Sequence, residues 1–213
     1  MNKKAMGKIL KTLEKQYPMP NFSREKPYEA LIGTVLSQRT LDQTTDRVSQ
    51  ALLKAADSPK ALVKMTERQI ARIIRPINFY KTKAKRLKQI ANIIVKEYGG
   101  RIPRTREELM SLPGVGPKTS DAVLIFSYGK QVIPIDTHVQ VVSERLGISD
   151  EKDGYKKIQA KLNALVPERK RDSVNYLLVE HGKKICRKHL PKCGACVINK
   201  FCRYYARTGG EYF

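Results

Sequence analysis

All four cysteines of this 213-residue chain, Cys186, Cys193, Cys196 and Cys202, lie close together near its C-terminal end, and none occurs earlier. A disulfide framework would staple distant segments of a secreted chain, so this array instead points to a short stretch closing around one inorganic centre. Successive cysteines are separated by six, two and five residues. Zinc sites usually pair two two-residue gaps, and only the inner pair is that close here. A four-iron, four-sulfur cluster is therefore favoured over structural zinc, with unliganded thiols a distant third reading. The loop between the first two cysteines, Arg187-Lys188-His189-Leu190-Pro191-Lys192, is basic. A cluster that fixes this loop would hold it ready to touch phosphate.

Upstream of that array, apolar residues recur at helical spacing: Leu31, Ile32, Val35 and Leu36; Ile70, Ile73, Ile74 and Ile77; Leu87, Ile90, Ala91 and Ile94; Val174, Leu177, Leu178 and His181. Residues three and four apart share a helix face, so each set predicts one buried stripe. Thr66 with Gln69 and Thr105 with Glu108 have capping-box spacing, and Ser58-Pro59 supplies an N-cap followed by a proline at the first helical position. Glycines follow the expected helices over 87–98, 118–128 and 139–146 and suit the left-handed closing conformation. The one β-like run, Gln131 to Ile135, is short and broken by Pro134, so an extended connector is expected and no sheet. The fold class predicted is all-α. The densest basic run, Lys81, Lys83, Lys85, Arg86 and Lys88, would wrap most of the way round a helix and predicts a solvated helix start.

Lys and Arg number 42 against 20 Asp and Glu, a formal net charge of +22, which implies a large anionic partner. No apolar run approaches the ~18 residues of a membrane span. Met1 to Gln16 also lacks the apolar core of a signal peptide, so an intracellular, cytoplasmic or nucleoid-associated protein is expected. In Leu112-Pro113-Gly114-Val115-Gly116-Pro117-Lys118-Thr119, two glycines interrupt two predicted helices. Their missing side chains let a phosphate reach backbone N–H groups at the positive end of the second helix. Contacts at Gly114, Val115 and Gly116 would hold nucleic acid regardless of base sequence, the alternative being a purely structural turn. Lys118 stands where the helix dipole disfavours an ammonium. It reads either as a phosphate contact or as a neutral amine that attacks a sugar carbon and forms a Schiff base. Asp136, followed by Thr137, His138 and Val139, reads from spacing alone as an ordinary N-cap.

The Leu-Pro-Gly-Val-Gly-x-Lys-Thr turn, the Asp-Thr-His-Val run eighteen residues after Lys118 (136 − 118) and the terminal four-cysteine array together closely resemble the endonuclease III family. These are DNA glycosylases with lyase activity in the helix-hairpin-helix superfamily. The likeness runs from about Pro27 to Cys202, with the motifs in order. It implies that Lys118 is the Schiff-base lysine, Asp136 the catalytic aspartate and Gly114 and Gly116 the hairpin, with Val115 and His138 further DNA contacts. Cys186, Cys193, Cys196 and Cys202 would ligate a [4Fe-4S] cluster. The implied fold has two helical lobes with a DNA-binding cleft between them: a helical barrel over 27–134 bearing the hairpin, and an iron–sulfur lobe of 1–26 plus 135–213. The implied partner is double-stranded DNA with damaged bases or abasic sites, the implied substrates are oxidised pyrimidines, and a monomer without membrane contact is expected.

Some positions depart from the family pattern. In Leu36-Ser37-Gln38-Arg39-Thr40-Leu41-Asp42, alignment on the aspartate puts Arg39 where the family usually shows a glutamine that fills the gap left by an extruded base. Either Gln38 or Arg39 can take that role, or both simply begin a helix. Pro117 replaces a residue that is often basic, and Ser120-Asp121 replaces a small residue and an asparagine. Two other readings compete: a mismatch glycosylase removing adenine, uracil or thymine, and a non-catalytic DNA-binding or redox-sensing module. The adenine-specific branch lacks the lysine, and the presence of both Lys118 and Asp136 speaks against a passive binder.

Overall fold

The computed structural model describes residues 1–19 and 25–209. Among these the chain forms α-helices and no strand: α1 (Lys3–Gln16), α2 (Pro27–Ser37), α3 (Asp42–Ala55), α4 (Pro59–Lys64), α5 (Glu67–Ile73), α6 (Tyr80–Tyr98), α7 (Arg106–Ser111), α8 (Pro117–Tyr128), α9 (Thr137–Leu146), α10 (Tyr155–Leu165), α11 (Arg171–Lys184) and α12 (Arg203–Thr208). Local signals set most of these limits. Thr66 with Gln69 and Thr105 with Glu108 form reciprocal capping boxes, and Ser58 accepts from the Ala61 N–H ahead of Pro59. Gly99, Gly129 and Gly147 close α6, α8 and α9 in the left-handed conformation. The stripe Ile70 to Ile77 outruns its helix, because α5 stops at Ile73. Pro76 disfavours helical geometry at Arg75, and Ile74 and Ile77 are buried from the turn that follows. Residues 131–136 form neither helix nor strand.

The chain divides into two compact units, Ser23–Lys130 and Met1–Phe22 with Gln131–Phe213. In the first, α2 packs against α3, α6 and α8. It buries Tyr28, Leu31, Ile32, Val35 and Leu36, while α8 is buried from Thr119 through Ile125, as expected of a central helix. Each such large aliphatic side chain contributes about 1.5–3 kcal/mol on burial. Arg106 on α7 pairs with the fully buried Asp121 on α8 at 2.8 Å, joining the two helices of the hairpin.

In the second unit, α1 supplies Met6, Ile9, Leu10 and Leu13 to a core completed by Val139, Val142 and Leu146 of α9, Ile158 and Leu162 of α10, and Val174, Leu177 and Leu178 of α11. Helices α9 and α11 approach closely at Gly182, where a Cβ would lie 2.7 Å from His138 Cβ. No helix among the described residues is long and apolar enough to cross a membrane.

Candidate functional site

The hairpin between α7 and α8 is shaped by its glycines. Gly114 has φ +75°, which favours glycine, and a Cβ there would lie 2.9 Å from Arg86 Cδ, so that side chain would have to shift as well. Gly116 is the N-cap of α8 with Pro117 at N1, and no side chain caps the helix. Val115 is buried and anchors the turn, which leaves its main chain as the part able to meet a ligand. Lys118 is exposed on the first turn of α8. Gln38 ties the end of α2 to this hairpin: its amide nitrogen donates to the Gly114 carbonyl at 3.0 Å and to Thr119 Oγ1 at 3.3 Å.

The turn after α2 differs from the expected solvated arrangement, because part of the basic run on α6 faces inward. The Lys83 side chain is buried, and its ammonium donates to the carbonyls of Leu36 at 2.7 Å and Gln38 at 2.5 Å and to Thr40 Oγ1 at 3.3 Å. Burial, helped by the Arg86 charge, lowers the Lys83 pKa to about 8. Lys88 donates to the carbonyls of Val63 and Met65. These lysines close the ends of α2 and α4, which a count of charges along one helix does not reveal. Arg39 is exposed and left-handed at φ 55°; its carbonyl accepts from Asn78 Nδ2 at 2.5 Å, and its guanidinium lies 5.9 Å from the centre of the Phe79 ring. Phe79 is itself left-handed at φ 59° and 62% exposed.

In the other unit, Asp136 caps α9, its Oδ1 accepting from the Val139 N–H at 2.8 Å. The connector that delivers it is held by three side chains. Gln159 donates to the Ile133 carbonyl at 2.8 Å, Asn175 donates to the Pro134 carbonyl at 2.7 Å, and the Tyr155 hydroxyl accepts from the Ile135 N–H at 3.2 Å. Asp136 and His138 are partly buried, and Thr137 between them is exposed.

The four cysteines line one pocket with Val142 and Leu146 of α9, His181 of α11, and Ile185 and Ile198. No carboxylate lines it, and beside the four sulfurs the imidazole of His181 is engaged by Tyr17 and Cys196. Burial raises the Cys186 thiol, which Arg145 opposes, and pushes Cys196 up to about 11. Thiolates here therefore need a cationic centre to hold them ionised. Four cysteine sulfurs along one pocket are a donor chemistry that suits a polymetallic cluster with cysteinyl ligands. Arg145, absent from the sequence argument, donates to Cys186 Sγ at 3.3 Å and to the carbonyls of Arg187 at 2.7 Å and Lys188 at 2.9 Å, tying α9 to the basic loop. His181 is buried and its pKa is lowered to about 4 by burial. The tautomer that lets the Tyr17 hydroxyl donate to Nδ1, 3.1 Å away, directs Nε2–H at Cys196 Sγ, 3.5 Å away. Burial, with smaller contributions from Cys196, Glu180 and Cys186, raises Tyr17 to about 12 and keeps it a donor.

Residues 32–168 match the model of the HhH-GPD superfamily base excision DNA repair protein family. Endonuclease III of Thermotoga maritima is 36% identical over 201 residues, covering 94% of this chain and 93% of the relative. Endonuclease III of Escherichia coli K12 is 31% identical over 208 residues, covering 96% and 97%. Among solved structures, a trapped endonuclease III–DNA covalent intermediate superposes with a TM-score of 0.90 at 27% identity, covering 98% of this chain and 99% of the other. A thermostable thymine-DNA glycosylase gives 0.87 at 28% identity, covering 96% and 98%.

Proposed function

Since the chain belongs to the endonuclease III family of the HhH-GPD superfamily, we propose that it is a bifunctional DNA glycosylase and abasic-site lyase that removes oxidised pyrimidines from duplex DNA. One observation carries the lyase reading: Lys118 is an exposed primary amine on the first turn of the helix that the two-glycine hairpin opens. A glycosylase that uses only water has no need of that amine.

The target base lies within the stack, so the nucleotide must rotate out, at a cost of roughly a few kcal/mol that is smaller at a damaged pair. The hairpin amides and the basic surface grip phosphates and set register without reading sequence. Lys118 Nζ, as the neutral amine, attacks C1′, and the base leaves with the glycosidic electron pair and takes up a proton. The C1′–O4′ bond then breaks, O4′ taking up a proton as the amine nitrogen gives one up, and the resulting Schiff base acidifies a C2′ hydrogen, whose loss expels the 3′ phosphate by β-elimination before water frees the lysine. The Asp136 carboxylate stabilises positive charge developing on the sugar and assists proton transfer. Its bond to the Val139 N–H and the three anchors on the preceding connector support that role by fixing its position.

Gln38 has its amide committed to Gly114 and Thr119, whereas Arg39 is exposed beside it. We therefore assign Arg39 to the gap left by the extruded base. The four cysteines would hold a [4Fe-4S] cluster, which when bound supplies folding energy and an anchor for the basic loop 187–192.

Borohydride trapping tests the central claim. With an abasic duplex and reductant, the wild-type protein should become covalently joined to DNA, while Lys118→Gln should bind without cross-linking. Nicking by Lys118→Gln at the wild-type rate would place the nucleophile elsewhere. A panel of duplexes carrying single oxidised pyrimidines, with a G·T mismatch as control, should show excision of the former. Excision of thymine alone would favour the mismatch reading.

A further inference from the structure

We propose that Lys83 is a positioning residue for base extrusion: its buried ammonium holds the turn after α2 in the shape that presents Arg39. The inference rests on the assignment of Arg39 to the vacated gap.

Helix α2 ends without a glycine stop. Its C-cap residue, Gln38, has φ −55° and ψ 113°, and no left-handed glycine follows it. The terminal carbonyls of a helix lack partners within it and sit at the negative end of its dipole. Lys83 reaches them from the first turn of α6, binding the Leu36 carbonyl in the last turn and the Gln38 carbonyl at the cap. Its third contact, Thr40 Oγ1, lies beyond Arg39. An ammonium has three N–H donors, and three acceptors meet them, so the group is satisfied although its residue is only 2% exposed.

The tethering is centred on Arg39. Lys83 binds the residue before it and the residue after it, and Asn78 binds its own carbonyl. Arg39 is a non-glycine residue in the left-handed region, a strained conformation that persists only where surrounding contacts impose it. Phe79, one residue from Asn78, is likewise left-handed and exposed. Neither side chain adds to the core, and they meet only at the surface, the Arg39 guanidinium 5.9 Å from the Phe79 ring. The strain gains a fixed direction for a side chain on the surface, the preorganisation that insertion into a base stack requires.

The test uses the full chain with its cluster. Lys83→Met keeps length and removes charge and donors, and Lys83→Gln keeps a two-donor amide. Fluorescence of 2-aminopurine beside the lesion reports extrusion, and excision and abasic nicking are measured in single turnovers. Lys83→Met should slow extrusion and excision by about ten- to a hundredfold, the scale of a small misplacement of a positioned group, with Lys83→Gln in between. Nicking of a ready-made abasic site and affinity for undamaged duplex should stay within about threefold, because no base must be displaced there. Arg39→Ala should likewise slow extrusion and excision, and adding it to Lys83→Met should cause little further loss of either. If Arg39→Ala leaves extrusion intact, the gap-filling assignment falls and the proposal with it. If Arg39→Ala impairs extrusion and Lys83→Met does not, the proposal alone is wrong. Lys83 variants that fail to fold, or that lose excision, nicking and undamaged-duplex binding together, would assign the lysine to the scaffold and overturn the proposal.

Discussion

Replacing Arg106 by methionine should destabilise the protein more than the loss of a partly exposed arginine usually does. Arg106 Nη2 lies 2.8 Å from Asp121 Oδ2; the Arg106 side chain is 26% exposed and that of Asp121 is 0% exposed. A fully exposed pair is worth about 0–1 kcal/mol, whereas breaking a buried pair from one side costs about 3–5 kcal/mol. Methionine removes the guanidinium and leaves the carboxylate in a dry site. Hydration at the arginine end discounts the loss to about 2–3 kcal/mol. For a chain of this length that lowers the unfolding midpoint by roughly 4–12 °C. Replacing both partners, Arg106→Met with Asp121→Leu, should recover much of the loss, since apolar side chains need no counter-charge. Denaturant unfolding of the cluster-loaded single and double variants, compared in a double-mutant cycle, gives the coupling directly. An Arg106→Met variant within about 0.5 kcal/mol of wild type, or a double variant whose loss is the sum of the singles, would refute the argument. Asp121 lies one turn beyond Lys118, so the same variant should also weaken duplex binding.

The purified protein should be yellow-brown and contain iron and sulfide, and Cys193→Ser should lose both and loosen the C-terminal loop; a colourless protein with one zinc would contradict the cluster. Duplex affinity should fall by roughly a thousandfold or more between about 50 and 200 mM salt if the +22 chain makes several phosphate contacts, and a flat response in a salt titration would count against it. Gly182→Ala should lower the thermal midpoint. The clash with His138 costs about 1–3 kcal/mol against at most ~1 kcal/mol of helix propensity gained, so an unchanged or higher midpoint would show that α9 and α11 are free to separate.

Features built from neighbours in the chain were legible before any packing was known. The capping boxes at Thr66 and Thr105, the cap at Ser58 and the glycine stops of α6, α8 and α9 each depend on groups within a few residues, whose reach the covalent chain sets. The same holds for Asp136, because an N-cap bonds an N–H three residues ahead. The motifs pointing to the family were legible for a related reason: hairpin, lysine, aspartate and cysteines are short runs whose chemistry depends on residue type and spacing.

Contacts across the fold were not legible, and they decide what the individual charges do. Nothing in Lys81 to Lys88 distinguishes Lys83 from its neighbours until α6 lies against the end of α2, more than forty positions earlier, and supplies three acceptors. Arg145 looks like any helix-terminal arginine until the cysteine loop brings Cys186, Arg187 and Lys188 to it. Gln38 and Arg39 are equivalent on paper, and the carbonyl of Gly114 engages one while Asn78 and Lys83 pin the turn around the other. By itself the sequence determined the helix ends that carry caps or glycine stops, and the family. The tertiary structure alone decided which charges are buried and which turns are held, because desolvation and long-range hydrogen bonds exist only once distant segments have packed.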